Sequence, residues 1–89
     1  MVNDGDYVAI FNSIHRVMQA EKLLKELRLA VLLIPSPRAL TSDCGLAIRY
    51  SKADREIVET ALLEKGVAPE EIYVKCGEEY LMIGIRETR

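Results

Sequence analysis

The chain has 89 residues and a mass of 10.0 kDa, room for one hydrophobic core and not for two, so a single domain over residues 1–89 is expected. Apolar residues make up 49% and charged residues 29%, which excludes a disordered chain. A formal net charge of −2, no Trp and a single Phe argue against a nucleic-acid binder that relies on counterion release or base stacking. No apolar run approaches the roughly 20 residues that cross a bilayer. The polar, acidic start from Met1 to Asp6 does not read as a secretory signal. A cytoplasmic protein with no membrane partner is the expectation.

Tyr7-Val8-Ala9-Ile10-Phe11 reads as a buried strand. Asn12 or Ser13 caps the helix after it. There Ile14, Val17, Met18, Ala20, Leu24 and Leu27 return at helical steps up to Arg28, an amphipathic pattern with these residues inward. Ala30-Val31-Leu32-Leu33-Ile34 is a second strand, which Pro35 ends and Pro37 keeps from restarting. Residues 35–45 form a connection longer than the usual 4–6 residues. Leu46-Ala47-Ile48-Arg49-Tyr50 is the third strand. Ser51 caps a second helix from about Lys52 to Lys65, with Ile57, Val58, Ala61 and Leu62 inward and Gly66 as its stop. Ile72-Tyr73-Val74-Lys75-Cys76 and Tyr80-Leu81-Met82-Ile83-Gly84-Ile85 are strands four and five, joined by a turn at Gly77-Glu78-Glu79.

The order β-α-β-β-α-β-β gives two strand–helix–strand halves. It predicts an α+β fold: a ferredoxin-like split βαββαβ sandwich with an additional C-terminal strand and both helices on one face of the sheet. The expected sheet order is 4-1-3-2, with the fifth strand extending an edge as a hairpin with strand four. Strands one and three are taken as parallel, with strands two and four running against them. On that assignment Cys44, just before strand three, and Cys76, at the end of strand four, share one edge about one strand apart, roughly 10 Å. His15 falls at the opposite edge, which argues against a Cys–His nucleophilic pair. Both helix C-termini point toward the cysteine edge, and Arg28 and Lys65 offset part of their negative charge.

The cysteines carry what chemistry the sequence offers. Two are too few to staple a secreted scaffold. With the single His15 they cannot complete a four-ligand zinc site, so no metal is expected. Cys44 lies in Ser42-Asp43-Cys44-Gly45, where Gly45 lets another backbone approach and Arg38 stabilises a thiolate if the loop folds it inward. Asp43 opposes that effect, and a buried, inert cysteine is the plainer alternative. Cys76-Gly77 echoes Cys44-Gly45; Cys76 is either a small residue closing strand four or a second, resolving thiol. Phosphate-binding glycine patterns and paired catalytic carboxylates are missing, and no cofactor is expected.

The stretches Ala20-Glu21-Lys22-Leu23-Leu24, Ile34-Pro35-Ser36-Pro37-Arg38 and Ser42-Asp43-Cys44-Gly45-Leu46-Ala47-Ile48-Arg49 resemble the selenium/sulfur carrier-like family of small bacterial proteins. That resemblance covers nearly the whole chain. It implies a carrier more than a turnover enzyme. Cys44 would be the carrier thiol, holding the chalcogen as a persulfide or selenosulfide, with Pro35, Pro37, Arg38 and Gly45 shaping its loop. The implied partners are a chalcogen donor such as a cysteine desulfurase and an acceptor protein of sulfur or selenium metabolism. Cys76 has no support from these motifs.

Two other classes stay open on the residues alone. One is a non-catalytic binding or regulatory module that forms a homodimer through the edge of strand two or five. The other is a thiol redox sensor using Cys44 and Cys76, for which the shared edge is the argument.

Overall fold

A computed structural model describes residues 2–40 and 45–85. The described elements are β1 (Tyr7–Ile10), α1 (Ile14–Glu26), β2 (Leu32–Pro35), β3 (Leu46–Tyr50), a 3₁₀ turn (Lys52–Asp54), α2 (Arg55–Glu64), β4 (Glu71–Cys76) and β5 (Glu79–Ile85). They build a mixed α+β structure: one five-stranded sheet in the order β2-β3-β1-β4-β5, with two helices.

Every neighbouring strand pair is antiparallel. The expected sheet order holds, and β4, not β5, lies against β1. The expected strand directions do not hold. β1 and β3 are antiparallel, with Tyr7 opposite Tyr50 and Ile10 opposite Ala47. A helical crossover makes its own two strands parallel. It is therefore β1 and β2 that share a direction, and β3 and β4 that share the other, each pair separated by one intervening strand.

Strand periodicity sorts the core into two layers. Tyr7, Ala9, Ile48 and Tyr50 point to the helix face, where they meet Val17, Ala20 and Leu24 of α1 and Val58 and Leu62 of α2. Val8, Ile10, Ile34 and Ala47 point to the other face, where Leu40 closes over them. β1 is buried along its whole length because both of its faces are covered. Each fully buried aliphatic side chain stabilises the fold by about 1.5–3 kcal/mol.

The helix ends obey local chemistry. Ser13 caps α1 by accepting from the Arg16 backbone N–H at 3.1 Å. Both helices finish in the same motif of crossed backbone bonds. Val67 N–H donates to Leu62 and Gly66 N–H to Leu63 after α2, and Leu29 donates to Leu24 and Arg28 to Lys25 after α1. The turning residue is Gly66 (φ 73) in one and Arg28 (φ 63) in the other. Ser51 does not cap α2 directly; it precedes the 3₁₀ turn and makes no side-chain cap bond.

Several residues expected inward are exposed: Ile14 at 57%, Met18 at 44%, Leu27 at 49% and Ile57 at 56%. Apolar periodicity locates the face of a helix but not the width of the stripe that a neighbour covers. Here α1 is buried only along Val17, Ala20 and Leu24. Val31 is buried but precedes β2, where its N–H bonds Leu29 in the turn after α1.

Candidate functional site

The connection between β2 and β3 leaves the sheet at Pro35, which pairs with Leu46. Ser36 N–H donates to the Gly45 carbonyl at 3.0 Å and closes the base of the loop. Within it, Leu40 N–H donates to the Pro37 carbonyl at 2.9 Å, a tight turn that exposes Arg38 and Ala39. Leu40 is buried against Val8, Ile10, Ile34 and Ala47, so an apolar anchor ties this loop to the open face of the sheet. Gly45 is exposed, with φ 74 and no atom within 4 Å of where a Cβ would stand. Its role is conformational: the left-handed backbone, not crowding, calls for glycine. Cys44, with Thr41, Ser42 and Asp43, lies outside the described residues.

Beside the loop base, Val2, Ile34, Pro35, Ser36, Pro37 and Tyr80 line a shallow groove of about 280 Å³. Its lining is mostly apolar. Among the described residues the buried Ser36 hydroxyl oxygen has no hydrogen-bond partner. A buried hydroxyl without a partner is costly. Ser36 was not legible as a site residue. The hint was a lone hydroxyl between two prolines, with Leu40 as the one large apolar residue in a polar stretch.

The antiparallel directions rearrange the other candidates. The Gly45 end of the sheet also holds the end of β1 and the start of β4. Cys76 lies at the other end, six residue steps from the Leu46 row, roughly 20 Å along the strands. The strand directions on which the expected shared edge for Cys44 and Cys76 rested are therefore overturned: Gly45, the residue after Cys44, and Cys76 lie at opposite ends. A disulfide needs Cα atoms within about 7 Å, and the argument for a two-cysteine redox sensor lapses. Cys76 is exposed and free. Gly77, the next residue, turns at φ 63 and donates its N–H to Asp4.

His15 moves the opposite way. It comes after β1 in the first turn of α1 and so shares the Gly45 end, exposed on the helix face, whereas Leu40 anchors the loop on the open face. The helix dipoles change as well. This end receives the N-terminus of α1 and the C-terminus of α2, one of each sign, and not two C-termini. Arg28, after α1, is at the far end and offsets nothing here, while Lys65 remains at the loop end.

At the far end a polar cluster is fully engaged with itself. The Tyr50 hydroxyl donates to Glu59 at 2.7 Å, Arg55 pairs with Glu59 at 3.1 Å, and Arg55 also reaches the Tyr7 hydroxyl at 3.3 Å. Burial, then the Glu59 bond, pushes the Tyr50 phenol far above its ordinary value. On the open face Arg49 bonds Asp6 at 2.9 Å. Among the described residues no cluster of His, Cys, Asp and Glu is arranged to hold a metal ion, and no helix is long and apolar enough to cross a membrane.

This is a small α+β protein built on a five-stranded antiparallel sheet and two helices. The family described as "Putative Se/S carrier protein-like" matches residues 6–74, and the chain belongs to that family. The match includes Cys44 and the whole β2–β3 loop; it stops before Cys76 and β5. No curated protein and no solved structure matches the chain significantly.

Proposed function

We propose that the protein is a cytoplasmic sulfur or selenium carrier that acts through Cys44. The observation that carries this reading is family membership over a span that contains Cys44 and omits Cys76. Loop geometry supports it: a base closed by Ser36 and Gly45, an anchor at Leu40, and Arg38 exposed at the turn. Pro35 and Pro37 stiffen the entry, Gly45 supplies the left-handed exit, and Arg38 offers positive charge to a thiolate. We read the sheet order as a ferredoxin-like split βαβ arrangement with one strand added. The whole chain then acts as a single domain that presents one loop.

The chemistry is thiol exchange without net redox change. The Cys44 thiolate attacks the terminal sulfur of a donor persulfide. A new S–S bond forms at Cys44 as the donor S–S bond breaks, and the donor leaves as a thiolate. An acceptor nucleophile then takes the terminal sulfur and returns Cys44 to the thiolate. Selenium undergoes the same exchange as a selenosulfide. No metal or cofactor is needed. The partners are a donor such as a cysteine desulfurase and an acceptor in sulfur or selenium metabolism, and the groove lined by Pro35, Ser36 and Pro37 is available to a partner's peptide.

The test is intact mass spectrometry of reduced protein after incubation with glutathione persulfide or its selenium analogue. Wild type and Cys76→Ala gain one chalcogen atom; Cys44→Ala gains none and keeps its thermal melt. Equal loading of Cys44→Ala overturns the carrier.

A further inference from the structure

The segment before β1 is bonded well beyond what its own burial calls for. Asn3, Asp4 and Gly5 are exposed, yet the backbone there is tied at several points. Asp6 N–H donates to the Asn3 carbonyl at 2.9 Å, closing a turn in which Gly5 takes a φ of 89. Gly5 N–H donates to the Lys75 carbonyl at 2.8 Å, and Lys75 N–H donates to the Asp6 carbonyl at 2.9 Å. The Asp4 carboxylate accepts the Gly77 N–H at 2.6 Å in the β4–β5 turn. The Asp6 carboxylate accepts from the Asn3 N–H at 3.0 Å and from Arg49 of β3 at 2.9 Å.

What these ties hold in place is Val2. The turn sends the chain back over the open face of the sheet, and Val2 packs against the cluster of Val8, Ile10, Ile34, Leu40 and Ala47. It lines the groove with Ile34, Pro35, Ser36, Pro37 and Tyr80. Two separate pieces of chain therefore share one apolar patch: the N-terminal strap through Val2, and the β2–β3 loop through Leu40. Within the strap only Val2 and Asp6 are withdrawn from solvent, Asp6 to 8% exposure. An ion pair at that depth adds little net stability, because desolvation offsets the attraction. Its effect is to fix the direction in which the strap leaves β1.

We propose that residues 2–6 are a clasp on the loop that contains Cys44. The Asp6–Arg49 pair is its latch. Val2 is its tip, a positioning residue that packs on the limb of residues 35–40. That limb carries two backbone bonds, Ser36 to Gly45 and Leu40 to Pro37, and such bonds break and re-form by local fluctuation. Val2, seated in the same patch as Leu40, makes that fluctuation rarer. The latch lies beside Lys75, toward the Cys76 end, so the clasp joins the two ends of the sheet across its open face. The proposal rests on the carrier reading for its use, which is to set how Cys44 meets a partner. Its test does not, because backbone amides report on the limb whether or not Cys44 takes a chalcogen.

Amide hydrogen exchange of the full chain, followed by NMR under reducing conditions, is the test. In wild type the Ser36 and Leu40 amides are protected. Val2→Ala speeds exchange at both by about three- to tenfold, through the loss of two partly buried carbons; Val2→Ile keeps the wild-type rates. Asp6→Asn removes the charge of the latch and speeds the same two amides from the other end of the sheet. Leu62→Ala, in the helix-face layer, lowers the thermal melt and leaves both amides at their wild-type rates, because they exchange by local opening and not by global unfolding. Unchanged exchange in Val2→Ala, a Val2→Ile as fast as Val2→Ala, wild-type rates in Asp6→Asn, or equal acceleration by Leu62→Ala overturns the clasp. Failure of the carrier reading shows elsewhere, as Cys44→Ala loading like the wild type in the mass measurement.

Discussion

The first half of the protein (β1, α1, β2) and the second (β3, α2, β4) are built on one plan and finished differently. Each helix ends in the same crossed pair of backbone bonds, yet Arg28 sits at the left-handed position in one and Gly66 in the other. Each half then runs into a Cys-Gly step. In the second half this is Cys76-Gly77, taken up in a tight hairpin and tied to Asp4. In the first it is Cys44-Gly45, at the end of a loop held by a base bond and one buried leucine. Gly45 and Gly77 thus stand in different connections at opposite ends of the sheet. A Cys-Gly word by itself therefore does not say what connection it belongs to.

The core is where the halves are most alike, and where the largest effects fall. Leu24 in α1 and Leu62 in α2 are both fully buried in the shared helix-face layer. Leu24→Ala and Leu62→Ala each cost about 2–5 kcal/mol by urea denaturation. A loss from one and none from the other breaks the equivalence.

The second half alone carries a buried phenol bonded to a carboxylate. The unfolded chain releases the Tyr50 proton near the ordinary value of 10.0, and the folded chain holds it longer because of burial and the Glu59 bond. Above about pH 10 the folded state therefore binds more protons than the unfolded state. The Tyr50 contribution to stability is constant below that point and falls above it, by up to ~1.4 kcal/mol per pH unit. Tyr73, raised by burial and then by Glu71, adds in the same direction. Tyr50→Phe costs about 1 kcal/mol at neutral pH and flattens the alkaline decline. An unchanged alkaline slope counts against the Tyr50 account.

The smallest effects sharpen the contrast at the helix ends. Gly66→Ala costs about 1 kcal/mol, because the left-handed backbone alone resists a Cβ that otherwise meets open space. Arg28→Gly stabilises by about 0.5–1 kcal/mol, the relief of that same strain less the added freedom of the unfolded chain. Thermal melts of both variants read the opposite signs, and equal signs refute the shared motif.

Much of this was legible in the residues. Strand and helix identities came from apolar spacing, and the stops at Gly66 and Pro35 from backbone chemistry. The order of strands came from short connections and the two crossovers. The loop was legible as unusual because it is long, polar and proline-bounded. Ser36 and Tyr80 were not, since the groove they share brings together residues far apart in the sequence.

By itself the sequence determined the local elements and the segment that carries Cys44, because propensity and periodicity act over a few residues; of their ends it placed the Ser13 cap and the Gly66 stop, but not the 3₁₀ turn before α2 or the late start of β2. Only the tertiary structure decided strand direction, and with it which cysteine, histidine and helix end share a side of the sheet. A local pattern reads the same whichever way its strand runs; direction is set by which strands a crossover joins and which strand is inserted between them.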